Sequence, residues 1–350
     1  MYLNVNNLRV SYGDLKAVDD ISFQLDAGAI GCLLGPSGCG KTTVLRAIAG
    51  FGPVAGGRIE IDGRAVSGSG VTVPTEKRKV GMVFQDFALF PHLSVAHNIA
   101  FGLRRLPTAQ QNQRVRQLLD LIGLDGMAGK FPHELSAGQQ QRIALARALA
   151  PRPSILLLDE PFSSIDVELR EQLAREVKRI LNEEKVTALL VTHDQMEAFA
   201  IAHVIGVMHQ GRLHQWDTGY NLYHKPADLF VADFIGQGAL INGKVRPDLR
   251  IETDLGIIGD GRLNNGLRGG EEAVVLIRPD DIIHDDQSKE TARVIEKAFR
   301  GAEFLYTLEL KTGTRLYCFA PSHHNHTIGE PIGIRLELDH LVAFKKSCPI

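Results

Sequence analysis

The stretch GPSGCGKT, residues 35–42, decides the fold. It fits the pattern G-x-x-x-x-G-K-[ST], in which glycines let the backbone bring its N–H groups close to a phosphate. The apolar run 29–34 predicts a strand buried on both faces, and residues 43–49 predict a helix. A loop that opens a helix favours anions, because the helix N-terminus carries partial positive charge. We therefore predict that Lys41 binds nucleotide phosphates and that Thr42 offers its hydroxyl to Mg²⁺.

Length and composition predict a globular protein of two domains, or of one large domain and an appendage. The chain has 350 residues, of which 23% are charged and 44% hydrophobic, and its formal net charge of −2 gives no argument for nucleic-acid binding. No run of about 18 apolar residues predicts a membrane span, and residues 1–5 lack the features of a signal peptide. Cys32, Cys39, Cys318 and Cys348 show no spacing typical of a metal site or disulfide framework, so a reducing cytoplasm is expected.

A second apolar run ends in two carboxylates. Residues 154–158 predict a buried strand, and Asp159 and Glu160 follow at its tip. An acidic pair after a strand is often a helix cap, but a phosphate-binding loop requires a partner for its Mg²⁺. We therefore expect Asp159 in the Mg²⁺ shell and expect Glu160 to orient or deprotonate a water molecule.

Three further side chains lie beside predicted strands. Gln85 follows the apolar strand 80–84, and His193 follows the strand 187–192. Ligands bind at the carboxyl ends of parallel strands, so Gln85 is placed to reach the metal or γ-phosphate, and His193 to bond the γ-phosphate or hold the attacking water. Tyr12 precedes the loop and is compatible with stacking on adenine, although a surface tyrosine is the more common arrangement.

Residues 90–150 predict a helical insert. Residues 110–122 have helical periodicity, and residues 143–150 are rich in alanine and leucine. Ser136 lies at the start of this second helix, and Gly138 allows close backbone approach. The position is compatible with an anion-binding helix N-terminus, although an ordinary N-cap is the more common arrangement.

The chain changes character at about residue 236. Apolar and polar residues alternate at 304–310 and 332–338, which predicts short strands in a small barrel or sandwich. The tract HHNH, residues 323–326, resembles a metal-binding sequence. A polar loop is the favoured interpretation, because no cysteine or carboxylate partner lies nearby in the sequence.

Five stretches together resemble the ATPase subunit of an ATP-binding-cassette transporter over residues 1–235. The sequence LSAGQ at 135–139 is similar to the family signature, with Ala137 where a second glycine is usual. The other matches are the glutamine loop at Gln85, the loop after the catalytic glutamate at Ser163–Asp166, the switch histidine at His193 and the aromatic adenine platform at Tyr12.

The resemblance implies a fold and a set of site residues. The fold class is α/β, a phosphate-loop nucleotide-hydrolase cassette over 1–235, followed by a small all-β, OB-like regulatory barrel over 236–350. The implied catalytic residues are Glu160, His193 and Gln85, and the implied metal ligands are Thr42, Gln85 and Asp159. The implied nucleotide-binding residues are Tyr12, Gly35, Pro36, Ser37, Gly38, Cys39, Gly40, Lys41, Thr42, Thr43, Ser136, Gly138, Gln139 and Asp166.

The same resemblance implies cofactors and partners. In this family the signature of one chain faces the ATP of the other, so a homodimer holding two ATP molecules with Mg²⁺ is expected. Integral-membrane permease subunits and an extracytoplasmic solute-binding protein complete such an importer. The chain is then a peripheral subunit at the cytoplasmic face of the cell membrane, and no nucleic-acid partner is expected.

The cargo is expected to be ferric iron. The sequence LIRPDD at 276–281 resembles the arginine-proline-acidic motif in the carboxy-terminal barrel of importer ATPases for sugars, sulfate, polyamines and iron. The sequence resembles ferric-iron importer ATPases most closely, while sugar, sulfate and polyamine importers stay open. Three functions compete with transport: a soluble cassette ATPase, a phosphate-loop kinase and a regulatory nucleotide-binding module.

Overall fold

A computed structural model describes residues 1–68, 70–263 and 266–346, and Cys348 lies outside these ranges. The chain divides into two compact units, Met1–Gly219 and Tyr220–Ile350. The division precedes the boundary at residue 236 that the sequence predicted. One reason is that Ala232 packs with Leu276 and Phe344 of the second unit.

The first unit contains two sheets and six helices among its described residues. Its strands are β1 (Leu3–Tyr12), β2 (Leu15–Leu25), β3 (Ile30–Leu34), β4 (Gly56–Ile61), β5 (Arg64–Gly68), β6 (Val71–Thr72), β7 (Val80–Val83), β8 (Ile155–Asp159), β9 (Thr187–Thr192), β10 (Val204–His209) and β11 (Arg212–Asp217). Its helices are α1 (Lys41–Ala49), α2 (Val95–Ala100), α3 (Thr108–Leu121), α4 (Ala137–Leu149), α5 (Val167–Glu183) and α6 (Gln195–Ile201).

The central sheet has the order β11-β10-β3-β9-β8-β7, and every pair in it except β10–β11 is parallel. Strands β3, β8 and β9 are buried at every residue, which explains their unbroken apolar runs. A second, antiparallel sheet has the order β2-β1-β4-β5-β6. Ile21 of β2, Leu45 of α1 and Leu157 of β8 belong to one core that joins both sheets to α1. The predicted α/β cassette is thus confirmed.

The predicted helical insert corresponds to α2, α3 and α4. Ser94 caps α2, and its side chain accepts a hydrogen bond from the His97 amide. The fully buried Asn98 of α2 donates to the carbonyls of Phe90 and Leu93 at 3.1 and 3.0 Å. These bonds attach the segment after β7 to the insert.

The second unit is an all-β domain preceded by two short helices. Its elements are α7 (Gly219–His224), α8 (Leu229–Phe234), β12 (Ala239–Val245), β13 (Ile251–Thr253), β14 (Gly256–Ile258), β15 (Glu272–Ile277), β16 (Ile282–His284), β17 (Thr291–Phe299), β18 (Glu303–Glu309), β19 (Arg315–Pro321), β20 (Pro331–Leu336) and β21 (Val342–Lys345). Its sheets have the orders β14-β13-β12-β15-β21 and β16-β20-β17-β18-β19. The thiol of Cys318 on β19 donates to the Ile282 carbonyl on β16 at 3.2 Å, so the second sheet nearly closes into a barrel, as predicted.

The motif at 276–281 ties the barrel to the segment that precedes it. The Arg278 guanidinium donates to the carbonyls of Tyr223 and Gln237, each at 3.2 Å, and lies 4.4 Å from the centre of the Tyr223 ring. The Tyr223 hydroxyl donates in turn to Asp280 at 2.6 Å. Asp281 accepts from the Arg278 amide at 2.7 Å, while burial raises the pKa of its carboxyl to about 6. The motif therefore has a structural role.

Arg78 fixes the end of the helix that follows the phosphate-binding loop. Its side chain is 5% exposed, and its guanidinium donates to the carbonyls of Ala47 and Ile48 at 2.9 Å. Further bonds reach the Val73 carbonyl at 2.7 Å and the Ser67 hydroxyl at 2.8 Å. The cation thus satisfies carbonyls at the C-terminus of α1, where positive charge is favoured.

We predict that Arg78→Ala lowers the free energy of unfolding of the first unit by about 2–4 kcal/mol, because buried carbonyls lose their donors. Urea unfolding can be followed by the fluorescence of Trp216, the single tryptophan of the chain. Arg9→Ala is the matched control: Arg9 is 59% exposed and its ion pair with Asp20 spans 3.7 Å. The control should change the free energy by less than about 0.5 kcal/mol. Equal effects of the two substitutions would contradict the capping role.

Candidate active site

The predicted site residues follow neighbouring parallel strands at one edge of the central sheet. Gly35 follows β3, His193 follows β9, Asp159 ends β8 with Glu160 next to it, and Gln85 comes two residues after β7. In open α/β sheets this edge binds ligands. The sheet order β3-β9-β8-β7 therefore assembles residues that lie far apart in the sequence.

The phosphate-binding loop, residues 35–42, wraps around the ammonium group of Lys41. Lys41 is 4% exposed, and its Nζ donates to the carbonyls of Gly35 at 2.8 Å and Pro36 at 2.9 Å. Gly38 and Gly40 have φ angles of 79° and 103°, in the left-handed region that favours glycine. The loop enters α1 directly at Lys41, so the helix N-terminus lies at its end.

Two glycines of the loop are required by close neighbours. A Cβ atom on Gly35 would lie 2.2 Å from the Met208 carbonyl oxygen, and one on Gly40 would lie 2.6 Å from the Ala17 carbonyl oxygen. Neither carbonyl oxygen can move away unless the backbone segment that carries it also moves. A larger residue at either position would therefore displace the loop.

The turn between β10 and β11 holds the loop from outside. The Gly211 amide donates to the Cys39 carbonyl at 3.0 Å, and the Gly211 carbonyl accepts from the Asp19 amide at 2.8 Å. Gly211 has a φ of 78°, in the left-handed region that favours glycine. Lys16, near the start of β2, and Gln210, in the turn between β10 and β11, also line the site, and no motif marks them.

Thr42 and Asp159 form an oxygen pair suited to Mg²⁺. The Thr42 hydroxyl donates to Asp159 Oδ1 at 3.0 Å, and Asp159 is 6% exposed. Burial raises the pKa of Asp159 above its usual value, while the bond from Thr42 opposes that shift. Neighbouring ligands of an octahedral Mg²⁺ ion at about 2.1 Å lie about 3.0 Å apart, so the pair fits this ion.

Glu160 and His193 form a second pair. His193 Nδ1 lies 3.3 Å from Glu160 Oε2, and the side chains are 49% and 21% exposed, respectively. Glu160 has a φ of 43°, a left-handed conformation that costs free energy for a residue with a side chain. Its amide donates to the Val191 carbonyl at 3.1 Å, and its carbonyl accepts from the Ser163 hydroxyl at 3.0 Å. The backbone is thus held in a strained turn that presents the carboxylate.

An open cleft of about 580 Å³ lies over the phosphate-binding loop. Tyr12, which is 47% exposed, is among its lining residues, so the fold brings the predicted adenine platform to the loop. The other lining residues are Leu15, Lys16, Ala17, Ser37, Gly38, Gly40, Lys41, Thr42, Thr43, Glu160, Gln210 and Gly211.

Ten predicted site residues are not among the described residues that line this cleft. Five of them belong to the loop or contact a lining residue: Gly35, Pro36, Cys39, Asp159 and His193. The other five are Gln85, Ser136, Gly138, Gln139 and Asp166. Ser136 and Gln139 form a capping box at the start of α4, in which the Ser136 amide donates to Gln139 Oε1 at 3.0 Å. Gln85 and Asp166 are exposed, in the turn after β7 and at the start of α5. The chain alone thus gathers the loop, the acidic residues and the aromatic platform, but not the signature.

Known proteins resemble both units. The family model of the ABC transporter matches residues 18–163, and the model of the TOBE domain matches residues 275–344. The chain is 41% identical to the spermidine/putrescine import ATP-binding protein PotA 2 of Pseudomonas aeruginosa, and the alignment covers 91% of each chain. The chain belongs to the ABC transporter family. Within this family it is an importer ATPase with a C-terminal TOBE domain, as the sequence predicted.

Other relatives of this ABC ATPase differ in their named cargo. It is 41% identical to the spermidine/putrescine import ATP-binding protein PotA of Nitrosospira multiformis over 89% of this chain and 86% of that protein. It is 44% identical to the Fe(3+) ions import ATP-binding protein FbpC of Pseudomonas fluorescens over 80% and 78%, respectively.

A solved structure resembles the first unit of this ABC ATPase. It is the dimeric, post-hydrolysis ATP-binding cassette MJ0796 bound to ADP and Pi, with 28% identity and a TM-score of 0.55. The match covers 62% of this chain and 98% of that chain. In the described part of our ABC ATPase, no helix has both the length and the apolar character to cross a membrane.

Proposed function

We propose that two copies of this ABC ATPase hydrolyse ATP with Mg²⁺ at shared sites and thereby energise the import of a polyamine. The main support is that the phosphate-binding loop and Glu160 line one cleft, that Asp159 is bonded to Thr42 of that loop, and that the signature residues of the same chain do not line the cleft. Because each chain carries one loop and one signature, a complete site requires a second chain.

The loop and the cleft walls bind the nucleotide in this proposal. Lys41 and the loop amides bind the phosphates, and Tyr12 stacks on the adenine. Thr42 and Asp159 hold Mg²⁺, and Gln85 reaches it from the end of β7. The ion, when bound, neutralises charge on the phosphate oxygens. The hydrogen bond of 3.0 Å between Thr42 and Asp159 supports this role, because it holds the two oxygens side by side.

Glu160 accepts a proton from the attacking water in the proposed mechanism. The carboxylate is partly exposed on the cleft, so a water molecule can reach it. His193 Nδ1 lies 3.3 Å from this carboxylate, which orients the ring and leaves Nε2 for the γ-phosphate. The strained backbone of Glu160 fixes the carboxylate at the strand end.

We predict that Glu160→Gln retains ATP binding and lowers the hydrolysis rate about 10²–10⁴-fold, because the general base is lost. A fluorescent ATP analogue measures binding, and phosphate release measures hydrolysis. Glu183→Gln is the control, since Glu183 is 49% exposed and pairs with Arg179 on the surface of α5. Steady-state turnover of Glu160→Gln at the control rate would reject the assigned role.

The partner chain supplies the signature in this proposal. Ser136, Gly138 and Gln139 begin α4, whose N-terminus favours a phosphate, and they lie outside the chain's own cleft. Asp166 likewise lies outside that cleft and is assigned to the same shared interface. The MJ0796 cassette with ADP and Pi is dimeric, which supports the same arrangement here.

The helical insert transmits the closing movement in our proposal. Arg147 of α4 donates to the carbonyls of Phe87 and Ala88 at 2.9 and 2.6 Å, directly after Gln85. Asn98 of α2 also bonds to the carbonyls of residues 90 and 93. Through these bonds, α2, α4 and the Gln85 segment form one block. This block would act on permease subunits at the cytoplasmic face of the membrane, with a solute-binding protein outside. Residues 236–350 are assigned a regulatory or dimer-stabilising role.

A polyamine is the cargo that the relatives support better than the ferric iron expected from the sequence. Two relatives named for spermidine and putrescine align with 91% and 89% of this chain, compared with 80% for the ferric relative. The ATPase need not touch the cargo, so no residue of its active site discriminates between a polyamine and Fe³⁺. Sugar and sulfate importers have no comparable support among these relatives.

We predict that this ATPase, isolated with its permease subunits and binding protein, drives ATP-dependent uptake of spermidine or putrescine into vesicles. Radiolabelled polyamine and ⁵⁵Fe³⁺ would be compared in the same preparation, with Glu160→Gln as the inactive control. Polyamine uptake that stops in the control supports the cargo. Uptake of Fe³⁺ without polyamine uptake would contradict it and leave the ATPase assignment intact.

A further inference from the structure

Three histidines of the second unit meet at one point of the barrel. His284 ends β16, and His324 and His326 lie in the loop between β19 and β20. One ring nitrogen from each lies within 4.8 Å of the other two. The sequence favoured a polar loop because it showed no partner for the tract, and the pairing of β16 with β20 now brings His284 to it.

The distances within this three-histidine cluster fit metal ligands. His284 Nε2 lies 3.1 Å from His326 Nε2. Two nitrogen ligands at about 2.0–2.1 Å from a tetrahedral ion lie about 3.3 Å apart, so a small adjustment would admit the ion. Asp286 Oδ1 is 3.1 Å from the same His284 nitrogen and offers a fourth ligand. A hydrogen bond between the two rings is the competing explanation of the short nitrogen distance.

Glu330 favours the metal-binding form of His326. Its Oε1 lies 3.0 Å from His326 Nδ1, and its Oε2 accepts from the Thr327 amide at 2.8 Å. The Glu330 carboxylate thus accepts a hydrogen bond from His326 Nδ1–H, which leaves Nε2 of this ring toward His284.

The backbone of the loop is fixed by a buried phenol and a lysine. The fully buried Tyr306 donates to the His324 carbonyl at 2.7 Å and accepts from the His326 amide at 3.0 Å. Lys297 donates to the His326 carbonyl at 3.0 Å and to Asn325 at 2.9 Å. The cluster is thus held in place before any ligand arrives, which limits the entropy cost of binding.

The imidazole of His284 is partly withdrawn from solvent. Its side chain is 6% exposed, so an ion bound at its Nε2 would be shielded from water on that side.

We propose that His284, His324 and His326, with Asp286, bind one divalent transition-metal ion. Imidazole ligands favour ions such as Zn²⁺, Ni²⁺ and Co²⁺, whereas Mg²⁺ and Ca²⁺ require oxygen ligands. The site shares no residue with the nucleotide cleft, so metal binding does not depend on the proposed hydrolysis.

The full-length, nucleotide-free protein would be titrated with Zn²⁺ by calorimetry and with Co²⁺ by visible absorption. We expect one ion per chain at this site and the intense absorption bands of tetrahedral Co²⁺, with no competition from millimolar Mg²⁺. Replacing both His284 and His326 by alanine should abolish this binding. Glu330→Gln, which keeps the ligands, should weaken it about 10–100-fold.

His323→Ala is the matched control, because His323 is exposed and its ring is tilted against that of His324, with ring centres 4.4 Å apart. This variant should bind Zn²⁺ as the wild type does. Circular dichroism and ATP turnover would verify that each variant is folded. Unchanged Zn²⁺ stoichiometry and affinity in the folded His284→Ala, His326→Ala double variant would overturn the proposal. Failure of the wild type to bind Zn²⁺, Ni²⁺ or Co²⁺ would also overturn it.

Discussion

The hydrogen bond from Thr42 to Asp159 joins the two elements on which the site depends. Thr42 belongs to the first turn of α1, and Asp159 is the last residue of β8. The bond requires β8 to lie close to β3, with only β9 between them. That order also places His193 between the loop and Glu160. The parallel arrangement of buried strands is therefore what converts separate sequence motifs into one catalytic cleft.

Contiguous motifs were predictable from the sequence because their signals are local. The strand 187–192 agrees with β9 residue for residue, and α1 begins within the phosphate-binding loop as the pattern requires. Long-range contacts were not predictable. Arg78 caps α1 from about 30 residues away, and His284 meets His326 through the pairing of β16 with β20. Neither arginine nor histidine carries a local signal of such a partner.

In our proposal, hydrolysis is controlled by the pairing of two chains, and the geometry gives a physical reason for this control. One chain presents the Glu160 carboxylate, the Thr42–Asp159 pair and the phosphate-binding loop. Its signature helix α4 begins outside the cleft, where its own capping box bonds the backbone amides of Ser136 and Gln139. In our proposal, ATP completes the site only when the start of α4 from a second chain approaches the γ-phosphate. The movement that closes the site can then be passed to the Gln85 segment, which Arg147 ties to α4. In this proposal, ATP hydrolysis and cargo choice reside in different subunits.

In the proposed dimer, the loop of one chain meets the signature of another when ATP is bound. The direct measurement is cross-linking between chains carrying Ser37→Cys and chains carrying Ala137→Cys, both exposed positions, in a Glu160→Gln background. A short thiol-reactive cross-linker should join unlike chains in the presence of ATP, with far less product without ATP or with either single variant. Saturating ATP binding without this inter-chain product would contradict the shared site.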